Sequence, residues 1–234
     1  MLKRQGEIVQ YWATKLEIPA NLLQASGIHI VRKSNVISPD RVVAYRTEKT
    51  TIVLLPKQMD EQIEGELATV LSSTVAGSEL PKTLPLRQRW RDFIYYRGTP
   101  IDRVGQSAQI RLLTHLDEEQ LTHLQSACAE QEIQAAQISI VDPLIVGYFV
   151  AEQLVGAASL LYEGSAIADV GILVHPAYRR KGMAVALVQC VANLGMAQGK
   201  VIQYMAEERN HGSVHTAGRS GFELFLFEDG FEVL

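Results

Sequence analysis

The 234-residue sequence predicts an α/β fold with a mixed (α+β) sheet, built in two parts. Three observations carry this prediction: helical and β-rich runs alternate, a turn-rich segment at 98–105 interrupts them, and the parts on either side differ in charge. Residues 1–105 hold 15 Lys and Arg against 11 Asp and Glu, a net charge of +4, and residues 106–234 hold 7 against 15, a net charge of −8. Opposite signs indicate two units with different partners. We therefore predict domains at 1–105 and 106–234.

The first part is predicted to be the smaller α/β domain. Apolar residues at helical spacing predict helices at 7–16 and 60–72. β-rich runs predict strands at 28–32, 41–45, 51–55 and 93–96. No motif in this part indicates a role, and a degenerate second copy of the following domain is one interpretation.

The second part has a clearer order of elements. Its predicted helices cover 117–131, 182–197 and 213–220. Its predicted strands cover 110–114, 144–151, 154–162, 166–174, 201–206 and 222–234. Glu152 and Gln153 form the turn of an antiparallel hairpin between two of these strands.

Composition excludes several classes of protein. An apolar share of 47% with 21% charged residues is globular, and a net charge of −4 argues against a chain built for nucleic acid. Cys128 and Cys190 lie 62 positions apart and predict reduced thiols in a cytoplasmic protein. Residues 1–20 lack a signal peptide, and charges interrupt the most apolar stretch at 138–174, so no membrane partner is expected.

The segment from Val170 to Ala184 carries the chemistry. A strand enters a turn with three successive cations, Arg179-Arg-Lys181, then Gly182, then a long apolar helix. The first amides of a helix lack internal partners and lie at the positive end of its dipole, so this junction predicts an anion site. The alternative is a solvated turn before a core helix. The Gly-Lys-Ser/Thr of a phosphate-binding Walker loop and the three glycines of dinucleotide folds are both absent.

These residues resemble a known family. Arg179-x-x-Gly182-x-Ala184 is similar to the Gln/Arg-x-x-Gly-x-Gly/Ala signature of the GNAT superfamily of N-acetyltransferases. The preceding residues 174–178, Val-His-Pro-Ala-Tyr, and the later Asn210 with Gly221-Phe222 resemble the segments that flank it there. The resemblance covers about residues 108–234 and implies a GNAT-like acyl-CoA-binding fold.

The resemblance implies a role for each matching residue. Acetyl-CoA would be the acyl donor. Its pyrophosphate would be bound by the main chain of Arg180, Lys181, Gly182, Met183 and Ala184, aided by the Arg179 side chain. Leu173 and Val174 would pair with the pantetheine arm, and the Val174 amide would polarise the thioester. Asn210 would contact the pantetheine, and Ser213 would lie near the phosphates.

Two departures from the family leave the acid and base open. Ala217 stands where some members carry a Tyr acid, and Ala168 stands where some carry a Glu base. Asp169 is the nearest carboxylate and is a candidate base or substrate anchor, with a surface carboxylate at the end of a strand as the alternative. A metal is not expected, because His211 and His215 lack a third ligand.

Other polar residues have less specific interpretations. Glu207 and Glu208 fit an ammonium group or a solvated turn, and His175 fits a structural strand exit. His215 fits a proton-transfer residue. The stretch at 87–97 mixes arginines and aromatics, which fits a nucleic-acid surface or a half-buried strand edge. Contacts across the seam between the +4 part and the −8 part are the use that the charges favour.

The sequence therefore predicts an acetyl-CoA-dependent N-acetyltransferase, in which a primary amine of a small molecule or peptide attacks the thioester directly. A CoA-binding sensor or scaffold without catalysis is the alternative, and a nucleotide or phosphate binder is a weaker one. A homodimer is left open.

Overall fold

The computed structural model describes residues 4–33, 41–59, 61–100, 108–163 and 166–234. Its helices are α1 (Gln5–Lys15), α2 (Glu61–Ser72), α3 (Glu118–Ser126), α4 (Glu130–Ala136), α5 (Met183–Ala197) and α6 (His211–Arg219). Its strands are β1 (Gly27–Lys33), β2 (Arg41–Arg46), β3 (Thr50–Pro56), β4 (Leu86–Arg97), β5 (Ile110–Leu112), β6 (Leu144–Val150), β7 (Gln153–Glu163), β8 (Ile167–Val174), β9 (Val201–Glu207) and β10 (Glu223–Val233). Parallel and antiparallel pairs both occur, which confirms the predicted mixed sheet.

The chain forms two compact units, and neither is one continuous segment. The first comprises Met1–Gln5, Tyr95–Met205 and His215–Glu223, and the second comprises Gly6–Ile94, Ala206–Val214 and Leu224–Leu234. The domain boundary predicted near Gly105 lies outside the described residues and stays a prediction.

In the first unit, strands follow the order β9-β8-β7-β6-β5. The β8–β9 pair is parallel, and the other pairs are antiparallel. Helix α5 packs on β6, β7 and β8 through a fully buried stripe. That stripe consists of Leu187, Val188, Val191 and Ala192. A second core under α3 and α4 includes Leu121, Leu124, Ile138, Ile145 and Leu173.

In the second unit, strands follow the order β1-β3-β2-β10-β4. β1 and β3 are parallel, and β2 is antiparallel to both β3 and β10. Its core includes Val42, Val53, Leu55, Leu67 and Phe231. The C-terminal strand is therefore a central strand of a unit built mainly from residues 6–94.

The helix predicted over 117–131 is wrong as one element, because it is two helices. Ala129 adopts an extended conformation (φ −69°, ψ 145°) between α3 and α4. Its amide donates to Glu132 Oε2 at 3.0 Å. A side chain that satisfies an amide outside the helix starts a new helix there, and helical periodicity alone does not reveal such a break.

The arginines of β4 lie beside carboxylates of β10. Arg87 and Arg89 both contact Glu232, with Arg87 Nη2 at 2.6 Å from Oε2. Arg91 Nε donates to Asp229 Oδ1 at 2.5 Å. The strand is also longer than the predicted 93–96. These ion pairs join residues 1–105 to residues 106–234 inside the second unit, and the contacts predicted across a seam between two domains stay a prediction.

Candidate functional site

The parallel strands β8 and β9 separate partway along their length. Register pairs join Ile167 to Val201, Ala168 to Ile202 and Asp169 to Gln203, and along the described residues no pair follows. β8 nevertheless continues to Val174. The edge of β8 beyond Asp169 is therefore open on the side where β9 began.

The main chain of Val174 points to this open edge. The His175 amide donates to the Val155 carbonyl on the β7 side at 2.9 Å, and the Val201 amide of β9 donates to the Ala166 carbonyl at 2.9 Å. Since main-chain groups alternate between the two edges of a strand, even-numbered residues of β8 face the open edge. The Val174 amide faces the open edge, whereas the Leu173 main chain faces β7. The contacts predicted for both residues with the pantetheine arm stay predictions.

The turn after β8 is shaped to cradle an anion. Arg180 and Gly182 both have a left-handed backbone, with φ of 62° and 81°. Left-handed residues in such a turn direct successive amides into one concavity, which binds anions. A Cβ at Gly182 would meet no atom within 4 Å, so the space in front of this residue is open. The amides of Met183 and Ala184 open helix α5 beside it, without partners in the helix.

The two cations after Arg179 are arranged differently from each other. Arg180 is exposed, and among the described residues none holds its side chain by a hydrogen bond or ion pair. Lys181 Nζ donates to the Ala177 carbonyl at 3.3 Å and lies 5.1 Å from the centre of the Tyr178 ring. Of these two, Arg180 is the side chain that is available to a bound anion.

Arg179 is already engaged within the first unit. Its Nη1 and Nη2 lie 2.8 and 2.9 Å from Glu132 Oε1 and Oε2, a two-pronged ion pair. Its Nε donates to the Val174 carbonyl at 3.0 Å. Hydrogen bonding to Glu132 raises the pKa of Arg179. The Arg179 guanidinium, which was predicted to aid diphosphate binding, is thus paired with a carboxylate of α4.

Asp169 lies at the point where the two strands separate. Its Oδ1 accepts from the Val170 amide at 3.1 Å. Asp169 belongs to the last register pair of β8 with β9, so its carboxylate lies at the end of the paired segment. The side chain is half-buried, and its catalytic role stays a prediction.

Buried alanines stand at the two positions where some family members carry the acid and the base. Ala168 and Ala217 are 0% exposed. Ala168 lies between Tyr162 of β7 and Ile202 of β9 in the sheet. At the exit of β8, His175 Nδ1 accepts from the Ala177 amide at 3.2 Å, which supports a structural role there.

Asn210 and Ser213 belong to the second unit. Asn210 Oδ1 accepts from the Ser213 amide at 3.0 Å and so caps the start of α6. Their predicted contacts with CoA stay predictions. Glu207, Glu208, His211 and His215 are exposed. Within the described ranges, no set of three His, Cys, Asp or Glu side chains is grouped to hold a metal.

Sequence reasoning missed two polar groups. In the first unit, the Tyr96 hydroxyl donates to Gln203 Oε1, and both residues are buried where β8 and β9 part. In the second unit, burial and Glu207 raise the pKa of Asp92 to about 6, and burial and Asp92 raise the pKa of Glu228 to about 7. Each group joins residues from distant parts of the sequence, so no local motif reveals it.

Comparisons with known proteins agree with this geometry. Residues 110–222 match the acetyltransferase (GNAT) family. The segment 110–222 is therefore a GNAT-family acetyltransferase domain, which confirms the resemblance. No curated protein matches the sequence.

Solved structures resemble the fold. A GNAT-family acetyltransferase from Colwellia psychrerythraea has a TM-score of 0.54 at 16% identity over 63% of this chain, which spans 57% of that protein. A putative one from Novosphingobium aromaticivorans has a TM-score of 0.49 at 18% identity, covering 64% of this chain and 68% of that one. A GCN5-related N-acetyltransferase-like protein from Streptococcus suis has a TM-score of 0.46 at 15% identity, covering 83% and 84%. The Colwellia likeness supports the fold alone.

None of the described helices has the length and hydrophobicity of a bilayer-spanning segment.

Proposed function

We propose that the protein is an acetyl-CoA-dependent N-acetyltransferase that transfers the acetyl group to a primary amine. One observation carries the proposal: the open edge of β8, with its Val174 amide, leads directly into the cradle of amides at residues 180–184. A ligand with an amide-rich arm and a diphosphate fits an extended edge followed by an anion site.

The cradle would bind the diphosphate through main-chain amides, with Arg180 adding a mobile positive charge. The arm of the donor would lie along β8, where the Ile172 main chain and the Val174 amide face the open edge and would supply hydrogen bonds. The Val174 amide would then donate to the thioester oxygen. A fixed donor at that position stabilises the negative charge that develops during attack.

The reaction would proceed by direct attack of a neutral amine on the thioester carbonyl. The new C–N bond forms, the C–S bond breaks, and the amine loses a proton. A thiol has a pKa near ~8.5, so the thiolate leaves without a dedicated acid. The proton would pass through water to a carboxylate, for which Asp169 is the candidate because it lies where β8 and β9 part.

We propose a cationic amine of a small molecule or peptide as the acceptor. Residues 106–234 carry a net charge of −8, from 7 basic and 15 acidic side chains, which favours positively charged substrates. Both cysteines are free thiols, which supports a reducing cytoplasmic setting.

A thiol-release assay with acetyl-CoA and a panel of primary amines tests the proposal. We expect amine-dependent release in the wild type and none in Gly182→Trp, which fills the cradle. Gly199→Trp is the matched control, since Gly199 also has a left-handed backbone (φ 77°) with open space around it. Equal release by the two variants, or turnover only with hydroxyl or carboxylate acceptors, would contradict the proposal.

The two buried alanines favour a second candidate, a CoA-binding sensor or scaffold. Ala168 and Ala217 supply neither of the acid and base groups that some family members use. Calorimetry separates the two functions. Tight binding of acetyl-CoA that Gly182→Trp abolishes, without turnover on any acceptor, would support the sensor.

A further inference from the structure

The Arg179–Glu132 pair is built for geometry rather than for stability. Its two side chains are 38% and 40% exposed, and ion pairs this exposed add little to the free energy of folding. Its shape is nevertheless specific, with two parallel N–H···O contacts on one side and a third donor, Nε, at 3.0 Å from the Val174 carbonyl. A guanidinium held at both ends cannot rotate away from that carbonyl.

A main-chain hydrogen bond also fixes the Glu132 carboxylate. Its Oε2 also accepts from the Ala129 amide, the contact that starts α4. Helix α4 lies directly on β8, because the Ala136 carbonyl would be 2.2 Å from a Cβ at Gly171. A rigid path therefore runs from β8 through α4 and Glu132 to Arg179, and back to Val174 at the end of β8.

We propose that Glu132 is a positioning residue of the thioester site, acting through Arg179 on the Val174 carbonyl. This inference rests on the proposed function. The amide and the carbonyl of Val174 point to the same edge of β8, so fixing the carbonyl restrains the amide that would polarise the thioester.

The steady-state test compares Glu132→Gln with Glu130→Gln. The control changes a carboxylate on the same helix that binds Gln134 instead of Arg179. We expect kcat to fall about tenfold in Glu132→Gln, because small misplacements of a catalytic donor are costly, while CoA affinity stays within about threefold. Arg179→Lys keeps the charge but cannot form the two-pronged ion pair with Glu132. We therefore expect a similar fall in kcat, and we expect the double variant to lose no more than either single variant.

An unchanged kcat in Glu132→Gln, or losses that simply add in the double variant, would overturn the inference. A parallel fall in CoA affinity would also overturn it, because that would assign Glu132 to donor binding instead.

Amide hydrogen exchange of residues 174–181, measured without substrate, separates this inference from the proposed function. We expect faster exchange in Glu132→Gln and wild-type exchange in Glu130→Gln. Equal exchange in both variants would overturn the inference even in an active enzyme. If exchange is faster in Glu132→Gln but the wild type acetylates no amine, the restraint on the Val174 main chain is supported. The proposed function is then overturned instead.

Discussion

At the scale of single residues, Asp229 is a fully buried charge of the second unit with several hydrogen-bond donors around it. It is 0% exposed and lies between two arginines, with Arg46 Nε 2.5 Å from Oδ2 and Arg91 Nε 2.5 Å from Oδ1. Gln88 Nε2 donates to Oδ1 at 3.1 Å as well. A buried carboxylate with this many donors holds β2, β4 and β10 in register.

Asp229→Asn should therefore destabilise the protein by about 3 kcal/mol, since it leaves the buried Arg46 without its ion-pair partner. The free energy of unfolding in urea measures this loss. Glu79→Gln is the control, because Glu79 contacts the same Arg91 at 2.6 Å but is 64% exposed. An equal loss in both variants would mean that burial is not the cause.

Glu228 gives the stability a pH dependence. Burial and the charge of Asp92 raise its pKa to about 7, so the folded state holds this proton more tightly than the unfolded chain does. The resulting stabilisation is fully present below about pH 4 and is lost as pH rises through about 7.

We expect the wild type to lose on the order of 2 kcal/mol between pH 5 and 8 and Glu228→Gln to lose much less. Urea unfolding at several pH values measures both profiles. Glu223→Gln changes an exposed carboxylate at the start of the same strand and should keep the wild-type profile. A Glu228→Gln profile as steep as that of the wild type would contradict this account.

At the scale of elements, close packing of α4 on β8 depends on one glycine. A Cβ at Gly171 would lie 2.2 Å from the Ala136 carbonyl and 3.1 Å from Ile138 Cγ1. The first contact is with main chain, so the helix would have to move as a whole.

We predict that Gly171→Ala destabilises the protein by about 2 kcal/mol. Gly65→Ala is the matched substitution on α2, where a Cβ would meet nothing within 4 Å, and should stabilise by about 0.5–1 kcal/mol. Thermal unfolding of both variants tests the pair. A neutral Gly171→Ala would show that α4 is not packed on β8 as described.

The sequence predicts regular elements better than their interruptions. Helix α5 and strands β6–β8 follow directly from apolar periodicity and β-rich runs, because their own side chains create the core. The break between α3 and α4 depends on a Glu132 contact outside the helix. Arg179 and Glu132 are 47 positions apart in the sequence. The local signature at 179–184 therefore predicts the cradle but not the ion pair that holds Arg179.

At the scale of the whole molecule, the second unit requires the end of the chain. β10 pairs with β2 from Phe227–Arg46 to Glu232–Arg41, and it supplies Asp229. The turn-rich sequence near residue 105 predicts a break between regular elements. It does not reveal that β10, more than a hundred residues later, completes the sheet of the second unit.

A fragment of residues 1–105 should therefore fail to fold by itself. Without β10 it would bury Arg46 and Arg91 without Asp229, and β2 would lose one of its two neighbours. Circular dichroism with a urea titration measures whether it unfolds cooperatively, with the full chain as control. A cooperative transition in the fragment would support an independent N-terminal domain instead.

The most direct test of the central claim is to follow the acetyl group itself. Wild-type protein is incubated with isotopically labelled acetyl-CoA and a panel of cationic primary amines, and the products are identified by mass spectrometry. We predict a labelled N-acetyl amine formed in equal amount to the free thiol, and none with Gly182→Trp. Thiol release without a labelled amine, or label found only on a hydroxyl or carboxylate acceptor, would contradict the account.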